Sequence, residues 1–266
     1  MPGNDLVETV ARLLPRVART AAVNDVHKLR TSIRRLEARQ TLGRRWKRLR
    51  QRAGRVRDLD VQMDLLRQLP LGRESGRRGL IESMRAERER LAEKLRRGLG
   101  AGQRRKLRAR LRAWAPDPPP THSGLLQDFA AVDRGYPRLG AGSTETELHS
   151  FRKDCKRLRY RAEAAGETGL AAEFERVQDA LGSWHDWGVL ANRARAHAEP
   201  REGNPGHHAI GPALLAALQN AVAAHLETAL GAVAALRAEL HGGAQRRPPG
   251  WAAPASAKSG SRRASA

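Results

Sequence analysis

The chain has 266 residues, with 50 Lys and Arg against 28 Asp and Glu, a formal net charge of +22. That length can bury a substantial core in one large domain or two of ordinary size, and the charge attracts polyanions without dictating a fold. A single cysteine, Cys155, excludes an intrachain disulfide framework and any cysteine-based zinc site.

Nearly every segment between turn signals spaces its apolar residues at helical intervals, so an all-α fold is expected. Asn4 and Asp5 precede a first helix to about Thr20. Asn24 is the expected N-cap of a second, running to about Thr41. A third spans about Arg44 to Leu69, where Pro70 and Gly72 stop it. A fourth runs from about Glu74 to Trp114, with a break expected at Gly98–Gly102. Pro116 to Pro120 cannot continue a helix and reads as a stiff linker. Beyond it, Thr144 and Glu147 have the spacing of a capping box. Further helices follow over about Gly169–Ala198 and over the Ala/Leu-rich stretch ending near Leu240. That last stretch is apolar, but Gln219, Asn220, His225, Glu227 and Arg237 interrupt it, so it reads as a soluble helix. No secretory signal is evident at the N-terminus, and the expected location is the cytoplasm.

Two segments resemble each other. Val26 to Ala38 (VHKLRTSIRRLEA) and Leu148 to Tyr160 (LHSFRKDCKRLRY) share a histidine (His27, His149) and an arginine three residues on (Arg30, Arg152). A cationic pair follows in each (Arg34-Arg35, Lys156-Arg157), then a leucine. A second block repeats in the same order: Gly54 to Val61 aligns with Gly182 to Val189, sharing Gly, Asp58/Asp186 and Val. Two shared blocks imply an internal duplication into two related four-helix units. The expected boundaries are 1–115 for the first, 116–123 for the linker, 124–241 for the second and 242–266 for a disordered basic tail.

At ~100° per residue, Arg30, Arg34 and Arg45 fall on or near the face of His27, away from Val26, Leu29, Ile33 and Leu36. In the second segment His149, Arg152, Lys153, Lys156 and Tyr160 cluster away from Leu148, Phe151, Cys155 and Leu158. Each helix can therefore bury one stripe and present cations about one turn apart on another, a spacing suited to a linear polyanion. Solvated helix faces are the bland alternative, and carboxylates such as Glu37 and Asp154 are sparse beside these stripes. Arginine predominates (43 Arg, 7 Lys), and its planar fork suits phosphate oxygens. Asp58 and Asp186 either orient arginines or form plain ion pairs within their helices. His207-His208 is a weak metal candidate in a loop.

These blocks resemble the CHAD family, the conserved histidine α-helical domain. The likeness covers about residues 5–240 and rests on the two histidine helices, on Arg57 to Val61, and on Leu181 to Asp186. It implies two pseudo-symmetric four-helix bundles around a basic groove or pore that binds inorganic polyphosphate. The implied ligand-facing residues are His27, Arg30, Arg34, Arg35, His149, Arg152, Lys153, Lys156 and Arg157, with Arg44, Arg45, Arg48, Arg57 and Arg159 in secondary positions. Thr31 and Glu37 depart from a fully basic first helix. No ExExK element of the triphosphate-tunnel domains often fused to such chains is present, so their phosphatase activity is not transferred.

The expectation is thus a non-enzymatic polyphosphate-binding module in the cytoplasm, associated with polyphosphate granules, with no cofactor, metal or membrane. Nucleic-acid binding through the phosphate backbone is the first alternative. At 4% aromatic residues, a base-stacking platform has little support. An enzyme acting on phosphoanhydrides and an adaptor for an acidic protein rank behind it.

Overall fold

The structure is a computed structural model, and it describes residues 2–71, 76–137, 139–140, 142–198 and 210–243. His207, His208 and the chain beyond 243 lie outside the described residues, and with them the loop metal site and all but the first two residues of the disordered tail expected from the sequence. The described residues form helices without strands: α1 (Pro2–Thr20), α2 (Val23–Glu37), α3 (Arg44–Gln68), α4 (Arg77–Arg97), α5 (Ala101–Arg112), α6 (His122–Gly135), α7 (Glu145–Ala165), α8 (Thr168–Ala198) and α9 (Pro212–Gly243). The fold is all-α, as the periodicity implies.

Local chemistry explains most boundaries. Thr144 accepts from the Glu147 N–H while Glu147 accepts from the Thr144 N–H, so the capping box before α7 is complete. Gly166, in the left-handed region at φ 79°, ends that helix. Thr121 caps α6 by accepting from the Gly124 N–H at 3.1 Å. Asn24 does not act as the expected cap, because α2 begins one residue before it and Ala22 holds the cap position. That helix also stops at Glu37, short of Thr41. The fourth expected helix divides at Gly98–Gly100 into α4 and α5, so five helices rather than four precede the proline segment. The Asp117 N–H donates to the Arg39 carbonyl at 2.9 Å, which ties that segment to the end of α2.

The apolar stripes close three cores. Leu14 and Val17 of α1, Val26, Leu29, Ile33 and Leu36 of α2, Trp46 and Val56 of α3, and Leu95 and Leu107 fill the first. Phe129, Phe151, Cys155, Leu158, Phe174 and Leu181 fill the second, with Val233 and Leu236 of α9. Burial raises the Cys155 thiol pKa far above its ordinary value, making it a packing group rather than a nucleophile.

A third core joins the two. Its members are Leu59, Met63 and Leu66 from α3, Leu80 and Met84 from α4, Trp187, Leu190 and Ala194 from α8, and Leu214 and Leu218 from α9. The long helices α3 and α8 therefore each start in one outer core and finish in the shared one. Two self-contained bundles would not have this arrangement. Helix α9 has the length and composition to cross a membrane, yet its Leu214, Leu218, Ala229, Val233 and Leu236 are buried within the protein.

Polar contacts pin the helix ends. Arg88 of α4 donates from Nε to the buried Asp60 at 2.7 Å and from its terminal nitrogen to the carbonyl of Ala21 at 3.0 Å. Ala21 turns the chain from α1 to α2 with φ 46°, a conformation costly for a residue with a Cβ. The Arg88–Asp60 pair thus fastens the turn that launches the first histidine helix.

Because the central core is shared, urea unfolding of the whole chain is expected to give a single transition. Leu190→Ala, at a fully buried position, should lower stability by about 2–5 kcal/mol while leaving one transition. Two resolved transitions would show that the halves fold independently.

Candidate anion-binding site

Above the central core, α2 and α3 approach α7 and α8, and the polar faces of all four enclose an open cavity of about 910 Å³. Helix α2 contributes His27, Lys28, Arg30, Thr31 and Arg35; α3 contributes Arg57 and Asp58; α7 contributes Arg152, Lys156, Arg159 and Tyr160. From α8 comes a polar stripe with a turn-by-turn spacing: Gln178 and Asp179, then Gly182 and Ser183, then His185 and Asp186.

The two repeated blocks meet here in the same way. Arg30 of α2 lies across Gly54 of α3, its Nε 3.6 Å from where a Cβ would stand. Arg152 of α7 lies across Gly182 of α8, with guanidinium nitrogens 3.7 and 3.8 Å from the corresponding point. A Cβ at either glycine would stand in ordinary van der Waals contact with the arginine, and only a side chain extending beyond Cβ would contest its space. The arginine and the glycine of each repeated pair thus lie in contact across adjoining helices.

The cations divide into paired and unpaired groups. Arg35 donates to Glu163 at 3.0 Å, and Arg159 donates to the other oxygen of Glu163 at 3.0 Å and pairs with Glu175 at 2.6 Å. These contacts link α2, α7 and α8 along one edge of the cavity. Near the central core, Arg193 of α8 donates to Gln62 at 2.8 Å and to Glu87 at 2.6 Å, tying α8 to α3 and α4. Among the described residues, Lys28, Arg30, Arg34, Arg57, Arg152, Lys153 and Lys156 form no such pair. The Nε atoms of Arg34 and Arg152 are buried without a hydrogen-bond partner.

This crowding shifts protonation. Burial, then Arg34, Arg30, Arg152 and Arg159, bring the Lys156 ammonium down to about 6. Burial and then Arg30 lower Arg34 to about 10. Asp58 and Asp186 are not in ion pairs within their own helices. Burial raises both carboxyls, the facing arginines oppose that rise, and Asp58 further raises Asp186. Both carboxylates line the cavity along with these cations.

The histidines occupy different surroundings. His27 is exposed at the rim, and burial followed by Arg57, Arg30 and Lys28 lowers its pKa. His149 is half-buried, does not line the cavity, and lies against His185, with ring centroids 4.9 Å apart. Burial and then Arg152 bring His185 down to about 4; burial and then Lys153 lower His149. Arg57 and His185 occupy matching positions in the second repeated block, so each histidine helix meets a different neighbour at the same place.

Of the residues singled out from sequence, His27, Arg30, Arg35, Arg57, Arg152, Lys156 and Arg159 line the cavity. Arg34 is half-buried beside them. Lys153 is exposed, and Arg157 points out to pair with Asp154 at 3.2 Å. Arg44, Arg45 and Arg48 are exposed on the first turns of α3 and do not line it. The expected placement of Arg45 on the His27 face does not hold, because the chain breaks between Glu37 and Arg44 and Arg45 belongs to another helix. The cavity also recruits Lys28, Gln178, Asp179 and Ser183, which sequence reading passed over. The α8 residues were signalled by a polar stripe recurring every three to four residues before Asp186.

An unpaired half-buried lysine costs stability that its removal should restore. Between pH 6 and the ordinary lysine value the unfolded chain binds a proton that the folded cavity does not, so stability rises with pH across that window. Lys156→Met should therefore be more stable than the parent by about 1–2 kcal/mol at pH 7, allowing for hydration through the open cavity. It should also flatten the pH dependence between 6 and 9. Thermal denaturation over that range checks this, and a less stable variant would show that Lys156 is not strained.

The CHAD domain family model matches residues 4–195, which takes in every element of the cavity and omits α9. No curated protein matches the chain. Among solved structures, the crystal structure of the CHAD domain from the plant Ricinus communis superposes with a TM-score of 0.62 at 20% identity, covering 90% of this chain and 89% of that one. That likeness shows the fold. With the family match over well more than half its length, the chain belongs to the CHAD domain family.

Proposed function

We propose that this protein binds inorganic polyphosphate, without turning it over, in the cavity between α2, α3, α7 and α8. The carrying observation is the convergence of Arg30, Arg152 and Lys156 from two histidine helices into one recess with no carboxylate paired to any of them. Charge-assisted hydrogen bonds from guanidinium forks to phosphate oxygens are about twice as strong as neutral ones. A ligand with charge on every repeat unit would relieve the mutual repulsion of these groups while satisfying the buried Nε of Arg152. The recess favours a flexible chain of phosphates over a nucleic-acid duplex, whose stiff, wide backbone meets convex or groove-tracking surfaces. A cytoplasmic location with polyphosphate granules accords with this reading.

Titration with labelled polyphosphate should show salt-sensitive binding that duplex DNA of equal phosphate concentration displaces poorly; equal displacement by DNA would favour nucleic-acid binding. Arg30→Ala combined with Arg152→Ala should weaken binding on the order of 100-fold with unchanged helical circular dichroism. Undiminished affinity would place the site elsewhere. Polyphosphate recovered from the mixture should keep its length, and release of orthophosphate would overturn binding without turnover.

The pH dependence has a definite sign. In the free protein Lys156, His27, His149 and His185 are held toward their neutral forms. A bound polyanion favours their charged forms, so binding takes up protons and affinity rises as pH falls. Affinity measured from pH 8 to 5 should increase steadily; a flat profile in the wild type would remove these groups from the ligand's surroundings.

A further inference from the structure

Lys156 stands apart from the other described lysines. Lys28, Lys47, Lys94, Lys106 and Lys153 are exposed, whereas Lys156 is half-buried and its side chain lines the cavity. The charged groups around it are Arg30 and Arg34 from α2, Asp58 from α3, Arg152 and Arg159 from α7, and Asp186 from α8. A small phosphorylated molecule entering the recess meets arginines at the same place as this amine. The cavity is open, so such a molecule can reach the nitrogen.

We propose that Lys156 is a modification site for acyl phosphates, the cavity cations holding the phosphate while the Nζ of Lys156 takes the acyl group. The lone pair of Nζ attacks the carbonyl carbon, and a C–N bond forms. The bond from the carbonyl carbon to the oxygen that bridges to phosphorus breaks, and inorganic phosphate leaves with that oxygen and the electron pair. The proton lost from nitrogen passes to the departing phosphate, so the products are an amide on Lys156 and inorganic phosphate. No oxidant or further reactant enters. Two properties support this chemistry: the amine lies at about 6, so it is mostly neutral at cellular pH, and a desolvated lysine beside other cations is an activated nucleophile. A free lysine amine in water, with a reference value of about 10.4, is almost wholly protonated and unreactive at that pH.

The amide carries no charge and cannot gain one. Modification would therefore remove the amine whose protonated form a bound polyanion would otherwise favour, lowering affinity at the site proposed above. The inference rests on that reading only for this consequence; the acyl transfer itself needs no polyphosphate.

The test uses the full chain and acetyl phosphate at pH 7.5, with occupancy at each lysine read by mass spectrometry over time. Lys156 is expected to label ~10-fold faster than the mean of the exposed lysines. The neutral ester p-nitrophenyl acetate, which offers the cations no phosphate, should show a smaller preference. Arg30→Ala with Arg152→Ala should bring acetyl phosphate labelling of Lys156 toward that of Lys153. If wild-type Lys156 labels no faster than Lys153 or Lys28 with acetyl phosphate, the proposal is overturned, whatever the variants do. Labelling in the presence of excess sodium tripolyphosphate separates the two ideas. Preferential labelling that tripolyphosphate does not slow would sustain the modification site and count against phosphate-chain binding. Polyphosphate binding with indiscriminate labelling would do the reverse.

Discussion

Arg30, Arg34 and Arg152 repel one another and drive the neighbouring Lys156 amine toward its neutral form, and the fold holds them together nonetheless. Left to solvent, such side chains would spread apart, and screening would make their mutual field negligible. Here α2 and α7 are fixed by the apolar residues on their opposite faces, Leu29, Ile33 and Leu36 in one core and Phe151, Cys155 and Leu158 in the other. The shared core beneath prevents the halves from separating. Hydrophobic burial on one side of each helix thus sustains electrostatic strain on the other, and the strain is what a phosphate ligand would relieve. Glu163 reinforces the arrangement, because its two oxygens hold Arg35 from one half and Arg159 from the other.

Asp58 and Asp186 moderate that strain without cancelling it. Direct ion pairs with Arg30 and Arg152 would have neutralised the site. Lining the cavity without such pairs, the carboxylates lower the local potential while leaving the guanidinium forks unoccupied. The contrast within the Arg57 to Val61 segment shows how finely helical position sorts identical chemistry. Asp58 faces the cavity, whereas Asp60, two residues on, is buried against Arg88 and holds the chain turn at Ala21.

Helical periodicity carried much of this in the sequence. The apolar and cationic stripes of α2 and α7 lie where their spacing puts them, and the repeated glycines mark the crossing points of Arg30 and Arg152. The shared core was hidden, because the intervals of Leu59, Met63 and Leu66 say that a face is buried without saying against what. The same limit explains Arg44, Arg45 and Arg48. Arginines abound throughout this chain, so charge near a motif does not distinguish a residue aimed into a recess from one aimed into water. The break between α2 and α3 redirects that group, and periodicity cannot be carried across it. The cap at Ala22 rather than Asn24 is a smaller instance: the polar side chain was available, but the turn at Ala21 sets the helix start two residues earlier.

The recurrent histidine marks the site without dominating it. If histidine were the principal anion ligand, both copies would be expected to face the cavity with a similar environment. Instead His27 stands exposed at the rim near Arg57, while His149, which does not line the cavity, lies tilted against His185. What the two halves share in full is the arginine one turn later, laid across a glycine of the following helix. An imidazole that burial and neighbouring cations keep neutral adds no positive charge to an empty site already rich in it, and it becomes a cation only when an anion arrives or the pH falls. On the proposed reading the histidines would add to the proton response that Lys156 gives the site, and the arginines would set its affinity for phosphate.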